Sequence, residues 1–273
     1  MSVRLRLVLA FAVCLTLACG SICAVIFSKI RKADHRAFHD MAVTQLQRVE
    51  EQVNASLESG VMSARYLSGL KLVRESRGKL TGYLDTTATT TLRYAKHPHY
   101  EQLVYDEFIR VARSNINFAL VFLVNNDGQL AQAPEGHVKT AGYDPREQPW
   151  YRELMAGRTR LVHSSPRRAA GGDLICSIMV KTTDLDGRPL GLVGIDYTLT
   201  SLARELTDRR ILKTGYLVVF DRAGRVIADG HNPEFSTLEP ADYPELWRRL
   251  AAGPDGESYG VGPRGVDEYF VTR

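Results

Sequence analysis

The chain begins with a long uncharged stretch. No charged residue occurs from Leu7 to Phe27, a run of 21 residues that follows Arg4 and Arg6. An α-helix needs about 20 apolar residues to cross the hydrocarbon core of a bilayer. A cleaved signal peptide has a shorter apolar centre, followed by a polar cleavage region. The pattern therefore predicts an uncleaved transmembrane anchor with a short cytoplasmic tip, together residues 1–30.

The next apolar pattern has helical spacing. No proline occurs from Ser28 to Asp85, and apolar side chains recur at steps of three or four at Leu46, Val49, Val53, Leu57 and Val61. This spacing predicts a long amphipathic stalk helix over residues 31–89. Its apolar stripe either packs on its own domain or pairs with a second copy in a homodimer. Glycines weaken the later part and predict breaks at Gly60, Gly69, Gly78 and Gly82.

The pattern then changes from helix to strand. A helix is predicted over residues 97–115, and three runs of alternating apolar residues follow at 118–134, 173–199 and 215–230. Each run is divided by a turn that contains Gly and Asp, Asn or both, as in an antiparallel hairpin. Helices combined with antiparallel sheets define the α+β class.

Two of these hairpins are similar to each other. FALVFLVNNDGQLAQ and GYLVVFDRAGRVIAD both consist of an apolar strand, a turn and a second strand, and a helical segment precedes each. The repeat indicates a duplicated unit of one helix and an antiparallel sheet. We expect a first module at residues 90–205 and a second at 206–273. The last predicted strand ends at Arg273, so the second module is expected to be truncated.

Composition excludes several classes of function. The net charge of +4 comes from scattered basic residues, so no nucleic-acid partner is predicted. Phosphate-binding loops, serine-hydrolase elbows and zinc-protease motifs are absent from the sequence. Only Cys176 lies beyond the anchor, and histidines such as His137 lack ligand spacing. No catalysis, metal or cofactor is therefore predicted.

One segment stands apart from these elements. In GYDPREQPWYRELMAGR, residues 142–158, Tyr143, Trp150 and Tyr151 stand among charges and two prolines. Aromatic side chains with a polar tip line pockets that close on small ligands. The alternative is that PWYRELMAG begins a helix and buries these rings in the core.

The same segment carries a family resemblance. YDPREQPWYRELMAG, GLVGIDYTLTSL and KTGYLVVFDRAGRVIAD follow one another as in the double Cache family. That family consists of tandem PAS-like extracytoplasmic sensor domains of bacterial chemoreceptors, sensor kinases and cyclic-nucleotide enzymes. The resemblance covers residues 30–273. It implies that the 90–205 module is membrane-distal and binds a small solute, while the 206–273 module is membrane-proximal.

The resemblance also implies ligand-binding residues. Tyr143, Trp150 and Tyr151 match pocket positions of the amino-acid-binding branch, and Asp196 matches the acid that pairs with the ligand ammonium. A buried carboxylate needs such a partner. The alternative role for Asp196 is the N-cap of a helix that begins in TLTSLAREL.

Three positions depart from that branch. Gln148 stands where the branch has an arginine that clamps the ligand carboxylate, and the nearest arginine is Arg146. Arg167 and Arg168 stand near where the branch has a second acid. We therefore expect a ligand that carries a carboxylate and less positive charge than an ordinary α-amino acid. A solvated loop at Arg167 and Arg168 is the alternative.

Together these patterns predict a sensor. We expect a single-pass protein of the inner membrane, with residues 31–273 in the periplasm, that binds an amino acid, amine or small carboxylate and relays a signal. The basic residues after the anchor favour the opposite orientation, but the resemblance outweighs that count. A lipid-anchored or secreted solute-binding protein would use the TLAC sequence at Cys19. A periplasmic enzyme would need a catalytic constellation around Asp196.

Overall fold

The computed structural model describes most of the chain as two compact units. The described residues are 3–164, 166–169, 172–199, 215–220, 226–229, 256–261 and 267–272. One unit contains residues 1–50 and 245–273, and the other contains residues 51–244. The second unit holds nearly every predicted site residue and its supporting sheet.

Helix α1 is the longest element and spans Val3–Gly69. Its apolar stripe is buried at Val61 and Leu67, next to the buried small residue Ala64. The prediction that this stripe packs on its own domain is confirmed for the part of α1 in the second unit. Pairing of the helix with a second copy stays a prediction.

The predicted helix over 31–89 is too long. After Gly69, Leu70 leaves the helical conformation with ψ of 134°, and a short α2 follows at Lys71–Arg74. Residues 75–89 contain no helix. A glycine ends a helix readily because it lacks a Cβ, and Gly78, with φ of +67°, takes a conformation that a helix cannot continue. Gly60 does not break α1, contrary to expectation.

The predicted anchor lies partly outside the described residues. The backbone of α1 is described from Val3, but the side chains of residues 3–14 are not. Within the part of the chain that the structure describes, no helix is both long enough and apolar enough to cross a membrane.

The central element of the second unit is a six-stranded antiparallel sheet. Its strand order is β3-β2-β8-β7-β5, and β6 pairs with β7. Its strands are β2 (Phe118–Asn125), β3 (Leu130–Ala133), β5 (Leu161–His163), β6 (Arg167–Arg168), β7 (Leu174–Thr183) and β8 (Pro189–Thr198). A separate two-stranded pair joins β1 (Thr90–Thr91) to β4 (Val138–Lys139).

The predicted hairpins at 118–134 and 173–199 are confirmed. In each hairpin one side chain at the turn accepts two backbone hydrogen bonds. Asn125 accepts from the N–H groups of Asp127 and Gln129, and Asp184 accepts from those of Asp186 and Arg188. These turns set the register of the central strands, because Asx side chains replace backbone acceptors there.

The remaining predicted hairpins are also antiparallel. β9 (Val218–Phe220) pairs with β10 (Val226–Asp229), and β11 (Gly256–Val261) pairs with β12 (Asp267–Thr272). The helical segment predicted before the second of the two similar hairpins, TSLARELTDRRI (200–211), lies outside the described residues.

Four short helical elements of the described residues lie along the sheet or its loops. The predicted helix over 97–115 is confirmed as α3 (His99–Ala112), which contacts β2 and β3. The short η1 (Tyr94–Lys96) precedes it, and η2 (Pro145–Glu147) leads into α4 (Pro149–Ala156).

The two faces of the sheet contact different parts of the chain. On one face, Ile178 touches α1 at Gly60, and Tyr197 shares a hydrogen bond with Ser56 of α1. Thr182 donates to the carbonyl of Ser68 at the end of that helix. Because neighbouring strand residues point to opposite faces, the alternate positions form a second face.

Candidate functional site

The second face of the sheet is shaped by a glycine. Gly194 of β8 lies opposite Phe122 of β2 and Met179 of β7. A Cβ at Gly194 would lie 2.2 Å from Cζ of Phe122, so only glycine lets this ring lie flat across β8. Phe122 and Met179 belong to a buried cluster that also includes Leu154 of α4. This face is therefore covered by the segment that leads into α4.

Trp150 and Tyr151 begin α4 on this face. Pro149 occupies the first turn of α4, where its missing N–H costs nothing. The Trp150 ring meets Phe122 edge to face, with centroids 5.4 Å apart. Tyr151 is only 7% exposed and donates to Oδ1 of Asn126 at 3.1 Å. The core alternative thus holds for Tyr151, whose hydroxyl is bound to the β2–β3 turn, while Trp150 stays partly exposed.

Tyr143 extends the aromatic wall. Its ring packs against the same buried cluster, and Nζ of Lys139 lies 4.7 Å from its centroid. Burial raises the pKa of its hydroxyl. The residue remains partly exposed, and its role in ligand binding stays a prediction.

Asp196 lies on the same face, two positions after Gly194. Its carboxylate is 5% exposed and accepts from Oγ of Ser177, directly opposite on β7, at 2.5 Å. Nη2 of Arg167 approaches its two oxygens at 3.1 and 3.3 Å. Burial raises the pKa of Asp196, although Arg167 opposes this shift. The N-cap alternative is wrong, because Asp196 lies inside β8 and its carboxylate faces the sheet partners.

Arg167 belongs to a strand, which makes the solvated-loop alternative wrong for this residue. It pairs with Ile175 across β6 and β7, and its Nη2 also donates to Ser177 at 2.8 Å. The Nε atom of Arg167 is buried and has no hydrogen-bond partner in the described residues. Arg168 is exposed and donates to the carbonyl of Gly172, so the two arginines do not act as a pair.

Lys139 and His137 lie close enough to the predicted site to interact with it, and sequence analysis did not select them. Both interact electrostatically with Asp196. Burial lowers the pKa of Lys139 to about 8 and also lowers the pKa of His137. The available signal was the spacing of two basic residues at alternate positions of an extended segment, a few residues before Tyr143.

Gln148 and Arg146 serve the backbone around α4. Gln148 is the residue before α4, and its carbonyl accepts from the N–H groups of Tyr151 and Arg152. Arg146 binds the Asp144 carboxylate through Nε and Nη2 and donates to the carbonyl of Asn126. No hydrogen bond in the described residues brings Arg146 to Asp196. Their roles in ligand binding stay predictions.

Two features of the described residues bear on other kinds of site, namely the distribution of possible metal ligands and a surface depression. In the described residues, no group of three or more His, Cys, Asp or Glu side chains could hold a metal ion. A separate surface depression of about 410 Å³ is lined by Asp106, Ile109, Arg110, Arg113 and Ser114 of α3 and its C-terminal end, and it contains none of the predicted site residues. The site face combines an aromatic wall with a buried carboxylate and basic side chains, a combination that holds small polar ligands.

The chain is similar in sequence to a known family and to known proteins. A family model described as Cache domain matches residues 35–272. McpA, a methyl-accepting chemotaxis protein of Pseudomonas putida, is 27% identical over 216 residues, which cover 77% of this chain and 31% of McpA. The chain thus spans about a third of the length of that relative.

Solved structures share the fold. One is the ligand-binding domain of the Pseudomonas aeruginosa amino acid chemoreceptor PctC in complex with GABA, with a TM-score of 0.57 at 19% sequence identity. The matched region covers 84% of this chain and 89% of the PctC chain. The domain of the Campylobacter jejuni chemoreceptor Tlp3 with L-norvaline has a TM-score of 0.57 at 14% identity, covering 85% and 86%. At such identities the likeness establishes the fold only.

Proposed function

Because this chain belongs to the Cache domain family, we propose that it is an extracytoplasmic sensor domain that binds a small organic solute and relays its binding in signal transduction. The solute is an amino acid, an amine or a carboxylate. The domain acts by binding, and any catalytic or chemotactic output belongs to other parts of a longer receptor.

One observation carries this proposal. A buried carboxylate, Asp196, is bound by Arg167 and Ser177 and interacts electrostatically with Lys139. It lies on the sheet face that also carries Phe122, whose ring meets that of Trp150. Charged groups that are buried beside an aromatic wall can orient a small polar molecule. PctC in complex with GABA and Tlp3 in complex with L-norvaline, both chemoreceptor domains, support a solute of this size.

Membrane anchoring is part of the proposal. The uncharged run from Leu7 to Phe27 is long enough to cross a bilayer as the first part of α1. We place residues 31–273 in the periplasm and the tip in the cytoplasm. An alkaline phosphatase fusion after Arg273 should be active, whereas a cytoplasmic reporter at the same position should be inactive. The opposite pattern would overturn this orientation.

The relay is proposed to run from the sheet to α1. Tyr197 follows Asp196 in β8 and faces α1, where its hydroxyl shares a hydrogen bond with Ser56. A solute can shift the helix only as far as it binds two arrangements with different affinity. In a homodimer through the stalk helix, such a shift would reach the membrane.

A thermal-shift screen tests solute binding. A ligand that binds only the folded state raises its melting temperature. We expect the chain in detergent to be stabilised by at least one compound among amino acids, amines and small carboxylates. The shift should be lost in Trp150→Ala, a variant whose unliganded melting should be measured as a control. No shift with any compound would contradict the proposed function.

The second candidate is a solute-binding protein without a spanning anchor. The TLAC sequence at Cys19 favours it, because lipoproteins are cleaved before such a cysteine. The mass of the mature N-terminus decides between the two. An N-terminus at Cys19 or beyond would indicate a lipid-anchored or secreted protein, whereas an intact N-terminal segment supports the membrane-anchored sensor.

A further inference from the structure

The charges on the site face do not cancel. Asp196 is paired with Arg167, and the nearby Asp144 is paired with Arg146. Lys139 has no hydrogen bond or ion pair in the described residues, and its Nζ lies beside the Tyr143 ring. The face therefore carries an excess of positive charge over its two internal ion pairs.

We propose that this site takes a small carboxylate without an α-amino group, held between the Lys139 ammonium and the Arg167 guanidinium. This inference rests on the proposed function and specifies the solute class for the same site. The apolar part of the carboxylate would lie against Trp150 and Tyr143. The Lys139 ammonium and the Arg167 guanidinium supply the positive charge for binding. The acid that the resemblance assigned to a ligand ammonium was Asp196.

The geometry around Asp196 disfavours an amine. Oδ1 of Asp196 already accepts from Ser177 and from Arg167, and Oδ2 accepts from Arg167. An incoming ammonium would have to displace the guanidinium and leave it buried without its partner. It would also enter a region where Lys139 and Arg167 repel it. Arg167 occupies the place that a ligand ammonium would take.

The same geometry favours an anion. The buried Nε of Arg167 lacks an acceptor in the described part of the chain, and burial of such a donor is unfavourable until it is paired. A carboxylate oxygen would supply that acceptor. It would also pair with Lys139, whose Nζ lies over the Tyr143 ring and makes no hydrogen bond within the part of the chain that the structure describes. Charge-assisted hydrogen bonds to a carboxylate are stronger than neutral ones.

A matched series of four-carbon compounds tests the proposal by calorimetry on the whole chain. Butyrate and succinate carry carboxylates, L-2-aminobutyrate adds the α-amino group, and butylamine carries only the amine. We expect butyrate or succinate to bind at least about tenfold more tightly than L-2-aminobutyrate, and butylamine not to bind. Tighter binding of either amino compound would overturn this proposal and still support the proposed function.

Binding of none of the four compounds at millimolar concentration would also overturn it. The proposed function would then depend on the wider thermal-shift screen, so the two failures are distinguishable.

Two substitutions assign the charges. Lys139→Gln should weaken carboxylate binding by about tenfold or more, and Lys139→Arg should restore most of it. Lys96→Gln removes an exposed lysine outside the site and should change nothing. Unchanged carboxylate affinity in Lys139→Gln would overturn the assignment.

Arg167→Gln should convert the specificity. Once the guanidinium is removed, Asp196 becomes available, so butylamine should gain measurable affinity while butyrate loses it. The double variant Arg167→Gln with Asp196→Asn keeps the site free of an unpaired buried charge if the single variant does not fold. It should bind neither compound, and strong butyrate binding by it would contradict the role of Arg167.

Discussion

At Gly194 the absence of a side chain determines what can lie on the site face. The Phe122 ring occupies the space where a Cβ would be, 2.2 Å from its Cζ atom. We predict that Gly194→Ala lowers the free energy of unfolding by about 1–3 kcal/mol, because the ring must move within a packed cluster. Urea unfolding followed by circular dichroism measures this change.

Gly69→Ala is the control for this substitution. A Cβ at Gly69 meets no atom within 4 Å, and its φ is not positive. That variant should keep the stability of the parent chain. Equal effects of the two substitutions would show that the contact with Phe122 is not the cause.

Lys139 should make stability depend on pH. Its pKa is lowered to about 8 in the folded chain from 10.5. Between these values the folded chain has lost a proton that the unfolded chain still holds, so stability rises with pH. Relative to Lys139→Met, the free energy of unfolding should rise by at most about 1.4 kcal/mol per pH unit in this window. Parallel pH profiles of the two chains, measured by urea unfolding, would contradict the buried position of Lys139.

Among the elements, η2 and the β2–β3 hairpin are joined by Arg146. Its guanidinium binds Asp144 beside η2 and the carbonyl of Asn126 in the turn. We predict that Arg146→Ala lowers the free energy of unfolding by about 1 kcal/mol, a modest value because the pair is partly exposed. Amide hydrogen exchange should become faster in the β2–β3 turn.

The same variant tests the expected role of Arg146 in ligand binding. If Arg146 only joins these elements, affinity for the solute should change little in Arg146→Ala. Arg152→Ala, which removes an exposed arginine from α4, is the matched control for charge. A large loss of solute affinity with unchanged amide hydrogen exchange would indicate that Arg146 binds the ligand.

The helices and strands also show how much of the fold could be predicted from the sequence. The hairpins were predictable because alternation and Asx-Gly turns are local signals, and α3 was predictable from its helical spacing. The end of α1 was not, since Gly60 and Gly69 are the same residue type in different surroundings. Gly60 stays helical beside Ile178 of the sheet, whereas the chain leaves the helix after Gly69.

The site was predictable only where the resemblance reached it. Asp196 and Trp150 were found from their motifs. Ser177 lies opposite Asp196 because of the β7–β8 register, and Lys139 lies in β4, which pairs with β1. These pairings join residues that are distant in sequence. Spacing also could not reveal that Arg146 binds Asp144 and the carbonyl of Asn126.

For the molecule as a whole, the contact between the sheet and α1 is the feature to test. The Tyr197 hydroxyl meets Ser56 of α1 and accepts from Nδ2 of the buried Asn117. We predict that Tyr197→Phe lowers the free energy of unfolding by about 1–3 kcal/mol, because a buried donor loses its acceptor. Solute affinity should be nearly unchanged. Calorimetry and urea unfolding measure the two effects.

Tyr66→Phe is the matched control, since it removes the same atom from an exposed tyrosine of α1 that donates to Glu107. Its effect on stability should stay within about 0.5 kcal/mol. A comparable loss of stability in both variants would mean that the contact of Tyr197 with α1 is not the cause of the loss.

Asp196 and Tyr197 are consecutive residues on opposite faces of one strand. Under the proposed function, the face that carries Asp196 binds the solute and Tyr197 transmits its presence from the opposite face. Mutations can therefore abolish detection or transmission separately, although the affected codons are adjacent. A lineage could exchange one solute for another by changing residues on the Asp196 face while the connection to the long helix is inherited intact.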